Sequence, residues 1–152
     1  MAGNSSFLFN LSILAKTIVN PCVFGASAVV EDGQGRILLV RHSYIGGWHL
    51  PGGGVNGGEA PEHAVLRELE EEIGLSESTP PEFIALYTRK ILWVGNFIAL
   101  YRLRNARIDF KPNFEVREAK FFDPVALPEG TSAATRRRLA ELFGKMPRTL
   151  FW

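Results

Sequence analysis

Glu68, Glu71 and Glu72 stand at i, i+3 and i+4, a spacing that brings three carboxylates to one face of a helix. Like charges placed this way destabilise an isolated helix by about 0.2–0.5 kcal/mol per pair. A hard divalent cation offsets that repulsion, and Mg²⁺ favours carboxylate oxygens combined with the oxygens of a substrate phosphate. The chemistry expected of such a face is metal-assisted attack on phosphorus. A charge run alone would read as a solvated surface, so the neighbouring residues must decide.

Those neighbours form a loop and a helix. Pro51-Gly52-Gly53-Gly54 and Gly57-Gly58 flank a short loop whose backbone can approach a ligand closely, and a carbonyl there would add a further hard oxygen ligand. The helix is expected to begin near Glu59-Ala60-Pro61, with proline where its missing N–H costs least, and to end at Gly74. Ala64, Leu69 and Ile73 supply an apolar face roughly opposite the acids. Arg67 lies four residues before Glu71 and within reach of Glu59 if the loop folds back. Its planar fork suits bidentate pairing with carboxylates, a supporting role common around metal sites.

Residues 53–75, GGVNGGEAPEHAVLRELEEEIGL, resemble a complete Nudix box, G-x5-E-x7-R-E-U-x-E-E-x-G-U with U aliphatic. Gly53, Glu59, Arg67, Glu68, Leu69, Glu71, Glu72, Gly74 and Leu75 fill every fixed position. The order of elements extends the resemblance to about residues 20–143. It implies an α+β fold, an α/β/α sandwich with a mixed β-sheet between helices. It also implies hydrolysis of nucleoside diphosphates linked to another group, with Mg²⁺ or Mn²⁺. Under it, Glu68, Glu71 and Glu72 are metal ligands, the Gly53 carbonyl assists, and Glu59 with Arg67 is the supporting pair. Similarity to the MutT branch makes Glu68 the first candidate for the base that takes a proton from the attacking water.

Residues 114–122, FEVREAKFF, resemble a second family segment, E-x-x-E-A-x-W-F, with Phe121 in place of tryptophan. One glutamate of that segment often completes the metal site or acts as base. Glu115 fits that position best and Glu118 second. Trp48-His49-Leu50-Pro51 resembles the family's entry to the glycine loop. Arg41, His49 and Trp48 are the substrate-binding candidates.

The rest of the chain frames these residues. Residues 23–31 and 36–41 read as strands around the Asp32-Gly33-Gln34-Gly35 turn, a hairpin. Residues 82–93 and 96–103 read as a second hairpin around Val94-Gly95, residues 118–122 as a last strand, and residues 131–143 as an amphipathic helix. The chain divides into an apolar extension or helix over residues 1–20 and one domain over residues 21–152. The extension, with Asn4-Ser5-Ser6 as its cap, is expected to dock on the domain or in a homodimer interface. It is shorter than the roughly 20 apolar residues of a membrane span.

The 152 residues, 46% apolar and 22% charged, fit one ordinary globular domain. A net charge of +1 argues against a dedicated nucleic-acid binder. Cys22 is the only cysteine. It excludes an internal disulfide, fits a cytoplasmic setting, and reads as a small core residue. His42 and His63 read as surface residues, and Arg136-Arg137-Arg138 as a solvated run. Tyr44, Trp48, Tyr87 and Trp93 are stacking candidates of which most should be core.

The expected partner is a small nucleotide derivative. RNA 5′ ends and a nucleotide-sensing module without catalysis are the alternatives, and an isomerase of prenyl diphosphates is remote. Ile91 stands where the ADP-ribose branch often has proline, and no other substrate signature is evident.

Overall fold

The computed structural model describes residues 3–152, with side chains from Asn10 onward. The elements run α1 (Gly3–Val19), β1 (Cys22–Val30), β2 (Ile37–His42), β3 (Gly52–Gly54), α2 (Pro61–Ile73), β4 (Leu75–Glu77), β5 (Glu82–Ile91), β6 (Val94–Leu103), β7 (Arg107–Ile108), β8 (Val116–Phe122) and α3 (Ala133–Leu142). A four-stranded sheet has the order β3-β1-β6-β5, and two-stranded ladders join β2 to β8 and β4 to β7. β1 runs parallel to β6 and antiparallel to β3, so the sheet is mixed and the fold is α+β, as the resemblance implied.

Strand alternation builds two cores from the same strands. Ala26, Ala28 and Val30 of β1 and Leu38 and Val40 of β2 pack with Ala64, Val65, Leu69 and Ile73 of α2. Val29, Ile37 and Leu39 point the other way and pack with Tyr87, Leu100 and Leu139, the last from α3. Both faces of the sheet are thereby covered by helices.

The first hairpin is only half present. Asp32 makes the turn by accepting hydrogen bonds from Gln34 and Arg36 N–H, and Glu31 bridges to Ile37. Beyond that bridge the strands diverge: β1 pairs with β6, and β2 with β8. The second hairpin forms, but its turn lies at Leu92-Trp93, with Leu92 at φ 56°. Gly52–Gly54, read as loop, forms a strand against β1, and β8 begins two residues earlier than expected.

Of the two placements expected for α1, docking on the domain is not found, for its described side chains are exposed, including Leu11, Leu14, Ile18 and Val19. Both sheet faces are already filled. Asn4, Ser5 and Ser6 lie within the helix rather than capping it, and the side chains of residues 3–9 lie outside the described part. Cys22, expected in the core, is exposed at the start of β1.

Arg138, expected in solvent with Arg136 and Arg137, is fully buried. Its guanidinium donates to Glu141 (2.7 Å), to the Phe151 carbonyl (2.7 Å) and to Thr149 (3.2 Å), and lies 4.1 Å from the Tyr87 ring centre. Tyr87 and Thr149 also donate to Glu141. Removing one partner of a buried pair strands the other charge, at a cost of about 3–5 kcal/mol. Arg138→Ala is therefore expected to lower unfolding free energy on that scale in urea denaturation. An unchanged midpoint would show that the cluster contributes nothing.

Candidate metal and phosphate site

α2 owes its ends to local residues. Pro61 opens it, Ala60 is an N-cap without a side-chain bond, and Gly74 closes it in the left-handed region at φ 64°. A Cβ on Gly74 would lie 2.4 Å from the Asp109 carbonyl oxygen, so glycine is required there on two counts. The Asp109 N–H donates back to the Gly74 carbonyl at 2.8 Å, which ties the end of α2 to the segment after β7.

Arg67 organises the exposed side of α2. It grips Glu59 with two hydrogen bonds of 2.9 Å, and donates to Glu68 (2.8 Å), to the Gly54 carbonyl (3.0 Å) and more weakly to Glu71 (3.4 Å). The hydrogen bonds from Arg67, and then that from Asn56 N–H, hold the Glu59 carboxyl down at about 2. The carboxylates in turn raise the Arg67 guanidinium. The loop thus folds back onto the helix, with Arg67 as the clasp.

Glu72 takes a different position from that expected. It is not on a face opposite the core but buried at its margin, 3% exposed, and its Oε2 accepts from Gly52 N–H at 3.0 Å. Burial, then the charges of Glu68, Glu115 and Glu71, push its carboxyl up to about 7 against the Gly52 hydrogen bond. Glu68 packs so closely on the glycine strand that a Cβ on Gly53 would lie 2.2 Å from its Oε2.

Carboxylate oxygens of Glu68, Glu72 and Glu115 lie within 4.8 Å of one another. Asn113 holds Glu115 there. Its Oδ1 accepts from the N–H groups of Glu115 and Val116, and its Nδ2 donates to the Glu72 carbonyl at 3.1 Å. Ser43 adds bonds from its N–H to the Glu115 carbonyl and from its hydroxyl to that of Phe114. Glu71 stays outside this trio, its side chain 61% exposed. Glu118 is turned to Arg41 and Lys120, which lower its carboxyl. Glu115→Gln is accordingly expected to reduce turnover at least tenfold more than Glu118→Gln, since losing one preorganised charged group costs roughly 10²–10³ in rate. Steady-state assays of both variants check this, and the reverse order would remove Glu115 from the site.

His42, read as surface, belongs here. Its side chain is 8% exposed with Nδ1 3.8 Å from Glu72 Oε1, and its ring lies against Tyr44 and His49. Burial, then the neighbouring His49, lower its pKa. Nothing in the sequence around His42 marks it; only the bulge where β2 leaves β8 at Arg41-His42 turns it inward. Asn113 was likewise missed, although an asparagine just before a candidate glutamate is a turn signal.

A cavity of about 400 Å³ opens beside the cluster, reached along Gly52–Gly54 and His42 and bounded by Tyr44, His49, Arg89, Asn96 and Trp152. Of the substrate candidates, His49 lines this cavity, its Nε2 2.8 Å from the Gly46 carbonyl oxygen. Trp48 does not. It is buried against Phe122, because its place in the chain packs it between β2, β8 and α3. Arg41 lies over the Trp48 ring and lines a second hollow with Ser43 and Arg117.

Three hard oxygen donors on a helix and a pinned loop suit Mg²⁺ or Mn²⁺ far better than a softer metal. The raised Glu72 carboxyl reflects its burial first and the neighbouring carboxylates second. A NUDIX domain profile matches residues 23–143. The chain belongs to the Nudix family.

Curated relatives of this Nudix chain include the RNA pyrophosphohydrolase of Shewanella sediminis, 37% identical over 96 residues, 62% of this chain and 51% of that protein. That of Saccharophagus degradans is 45% identical over 53 residues, 33% of this chain and 30% of that protein. The chain thus spans about half or less of the length of these relatives. Among solved structures, the MutT NUDIX hydrolase of Burkholderia pseudomallei is 25% identical with a TM-score of 0.71, covering 81% of this chain and 99% of its own. The MutT protein of Methanosarcina mazei Go1, 23% identical with a TM-score of 0.70 over 86% and 98% of the two chains, shares the fold. Among the described residues no helix is long and apolar enough to cross a membrane.

Proposed function

We propose that this chain is a metal-dependent hydrolase that cuts a phosphoanhydride in a nucleoside diphosphate derivative, water attacking phosphorus. The observation that supports it most is the convergence of Glu68, Glu72 and Glu115 beside a cavity large enough for a small ligand. Those three residues would hold Mg²⁺ or Mn²⁺, with the Gly53 carbonyl and Glu71 as further ligands by resemblance. A cation bound there neutralises phosphate charge and lowers the pKa of a bound water.

The chain's own residues do the rest. Arg67 and Glu59 fix the helix face and the glycine strand in register. Asn113 fixes the loop that carries Glu115. Glu68, Glu72 and Glu115 are the carboxylates from which the base is drawn, and Glu68 is our first choice. Phosphoryl transfer asks mostly for such positioning and electrostatics. The domain comprises residues 21–152, with residues 1–20 as an extension, and the protein acts in the cytoplasm.

A second reading, RNA 5′ ends as substrate, draws on the names of the curated relatives. Their partial coverage and the net charge of +1 weigh against it. A sensor without catalysis is a third reading, which the intact glutamates disfavour.

The test is product release from triphosphates, ADP-ribose, nucleotide sugars, dinucleoside polyphosphates and 5′-triphosphorylated RNA, with Mg²⁺ or Mn²⁺ and with chelator. Chelator-sensitive cleavage of one small-molecule class is the expected result. Cleavage of RNA alone would move the assignment to the second reading, and binding without any cleavage to the third.

A further inference from the structure

The apolar side of α1 lies open. Leu11, Leu14, Ala15, Ile18 and Val19 stand at i, i+3, i+4, i+7 and i+8, the stripe by which an amphipathic helix packs on a partner. All five are exposed, Ile18 at 73% and Val19 at 74%. A helix of 17 residues gains little from propensity alone and takes most of its stability from packing such a face.

The tip of the β5–β6 hairpin is equally open. Its turn residues are Leu92, 86% exposed, and Trp93, 69% exposed. Leu92 sits at φ 56°, where a two-residue hairpin turn ordinarily carries glycine or asparagine. A bulky residue in that conformation is strained, and a solvated turn favours polar residues instead.

The two features adjoin. The Pro21 carbonyl, just past α1, accepts from Gly95 N–H at 3.1 Å, and Cys22 pairs with Gly95. A hollow lined by Pro21, Trp93, Phe97 and Phe151 lies between them. Charge at this end has one sign. Residues 1–30 and 83–107 contain no aspartate or glutamate, and Lys16, Arg89 and Lys90 are exposed. Glu59, which reaches the start of β1, is neutralised by Arg67.

We infer that α1 and the hairpin tip form a docking surface for an anionic lipid bilayer. The apolar side chains enter the boundary between headgroups and acyl chains, where indole rings are favoured, and the three cations meet lipid phosphates. α1 is about 25 Å long at 1.5 Å per residue, short of the roughly 30 Å hydrocarbon core, so it lies along the surface and does not cross it. A second copy fits this face less well, since a two-fold contact would set Lys16, Arg89 and Lys90 against their own counterparts. Docking is independent of the reaction at the acidic cluster.

Co-sedimentation of the full chain with vesicles tests it. Vesicles of equal parts phosphatidylcholine and phosphatidylglycerol are expected to carry the protein down, with an affinity at least about tenfold above that of phosphatidylcholine alone. Leu92→Gly relieves the backbone while removing the side chain, so the fold survives and affinity for the anionic vesicles falls roughly 10- to 150-fold. Lys16→Gln combined with Lys90→Gln should lower it about 30-fold. Ile18→Asp should lower it at least about tenfold with the melting temperature unchanged. Failure to sediment with either vesicle, equal affinity for both, or undiminished binding by Leu92→Gly overturns the inference. A dimer in analytical ultracentrifugation that Ile18→Asp dissociates, in a protein that binds no vesicle, would give the face to a second copy instead.

Discussion

Glu72→Gln is expected to cut metal-dependent turnover by about 10²–10³-fold while making the metal-free protein more stable at pH 8. The two effects have one cause. Glu72 is almost fully buried, beside Glu68 and Glu115, with its carboxyl pushed up to about 7. In an unfolded chain it titrates near 4.3. Between those values the folded protein keeps a proton that the unfolded one releases, so unfolding free energy falls as pH rises through that window. Above pH 7 the full penalty, on the order of 3 kcal/mol, is present. Glutamine removes the charge and can still accept from Gly52 N–H. Thermal melts of both proteins at pH 5 and pH 8 with chelator, alongside the activity assay, check the pair of effects. A variant less stable than the parent at pH 8 would show that the buried carboxylate is not a burden.

The adjacent glycines should respond to alanine in opposite ways. The three atoms nearest a Cβ on Gly53 all belong to the Glu68 carboxylate, at 2.2–2.7 Å, the far end of a side chain. The fold should tolerate Gly53→Ala, but the carboxylate must move, and a displacement of about 1 Å in a catalytic constellation costs roughly 10²-fold in rate. A Cβ on Gly52 meets backbone instead, 2.2 Å from the Ala26 carbonyl oxygen, at φ 137°. Gly52→Ala should therefore destabilise the protein by more than about 1 kcal/mol. Melting temperature and Mn²⁺ affinity, measured on both, separate a site defect from a fold defect. A Gly53→Ala protein with normal Mn²⁺ affinity would show that Glu68 does not need its place against the strand.

What could be read from sequence was what sequence decides locally. Pro61 and Gly74 set the ends of α2 because each acts within a turn of itself. The strands were legible because alternation marks faces, but alternation says nothing of partners, so β1 and β2 read as a hairpin when each pairs elsewhere. Charge carried the same ambiguity. Arg136 and Arg138 look alike in the run, yet helical geometry turns only Arg138 towards Tyr87 and Glu141. The i, i+3, i+4 rule set Glu71 equal to Glu72, whereas Glu72 is buried with its carboxylate on Gly52 N–H and Glu71 is exposed. His42 and Asn113 were illegible because each takes its role from a segment distant in the chain.

The parallel pairing of β1 with β6 bears on how the site comes into being. Its partners, from Cys22 with Gly95 to Val30 with Leu103, are separated by roughly 70 residues, and such non-local contacts form only after a large loop-closure entropy has been met. The loop they close contains β3 and α2 entire, while Glu115 lies beyond it. The pairing of β2 with β8 is less local still, with Ile37 and Phe122 85 residues apart, so both pairings that frame the acidic cluster carry a large loop-closure cost.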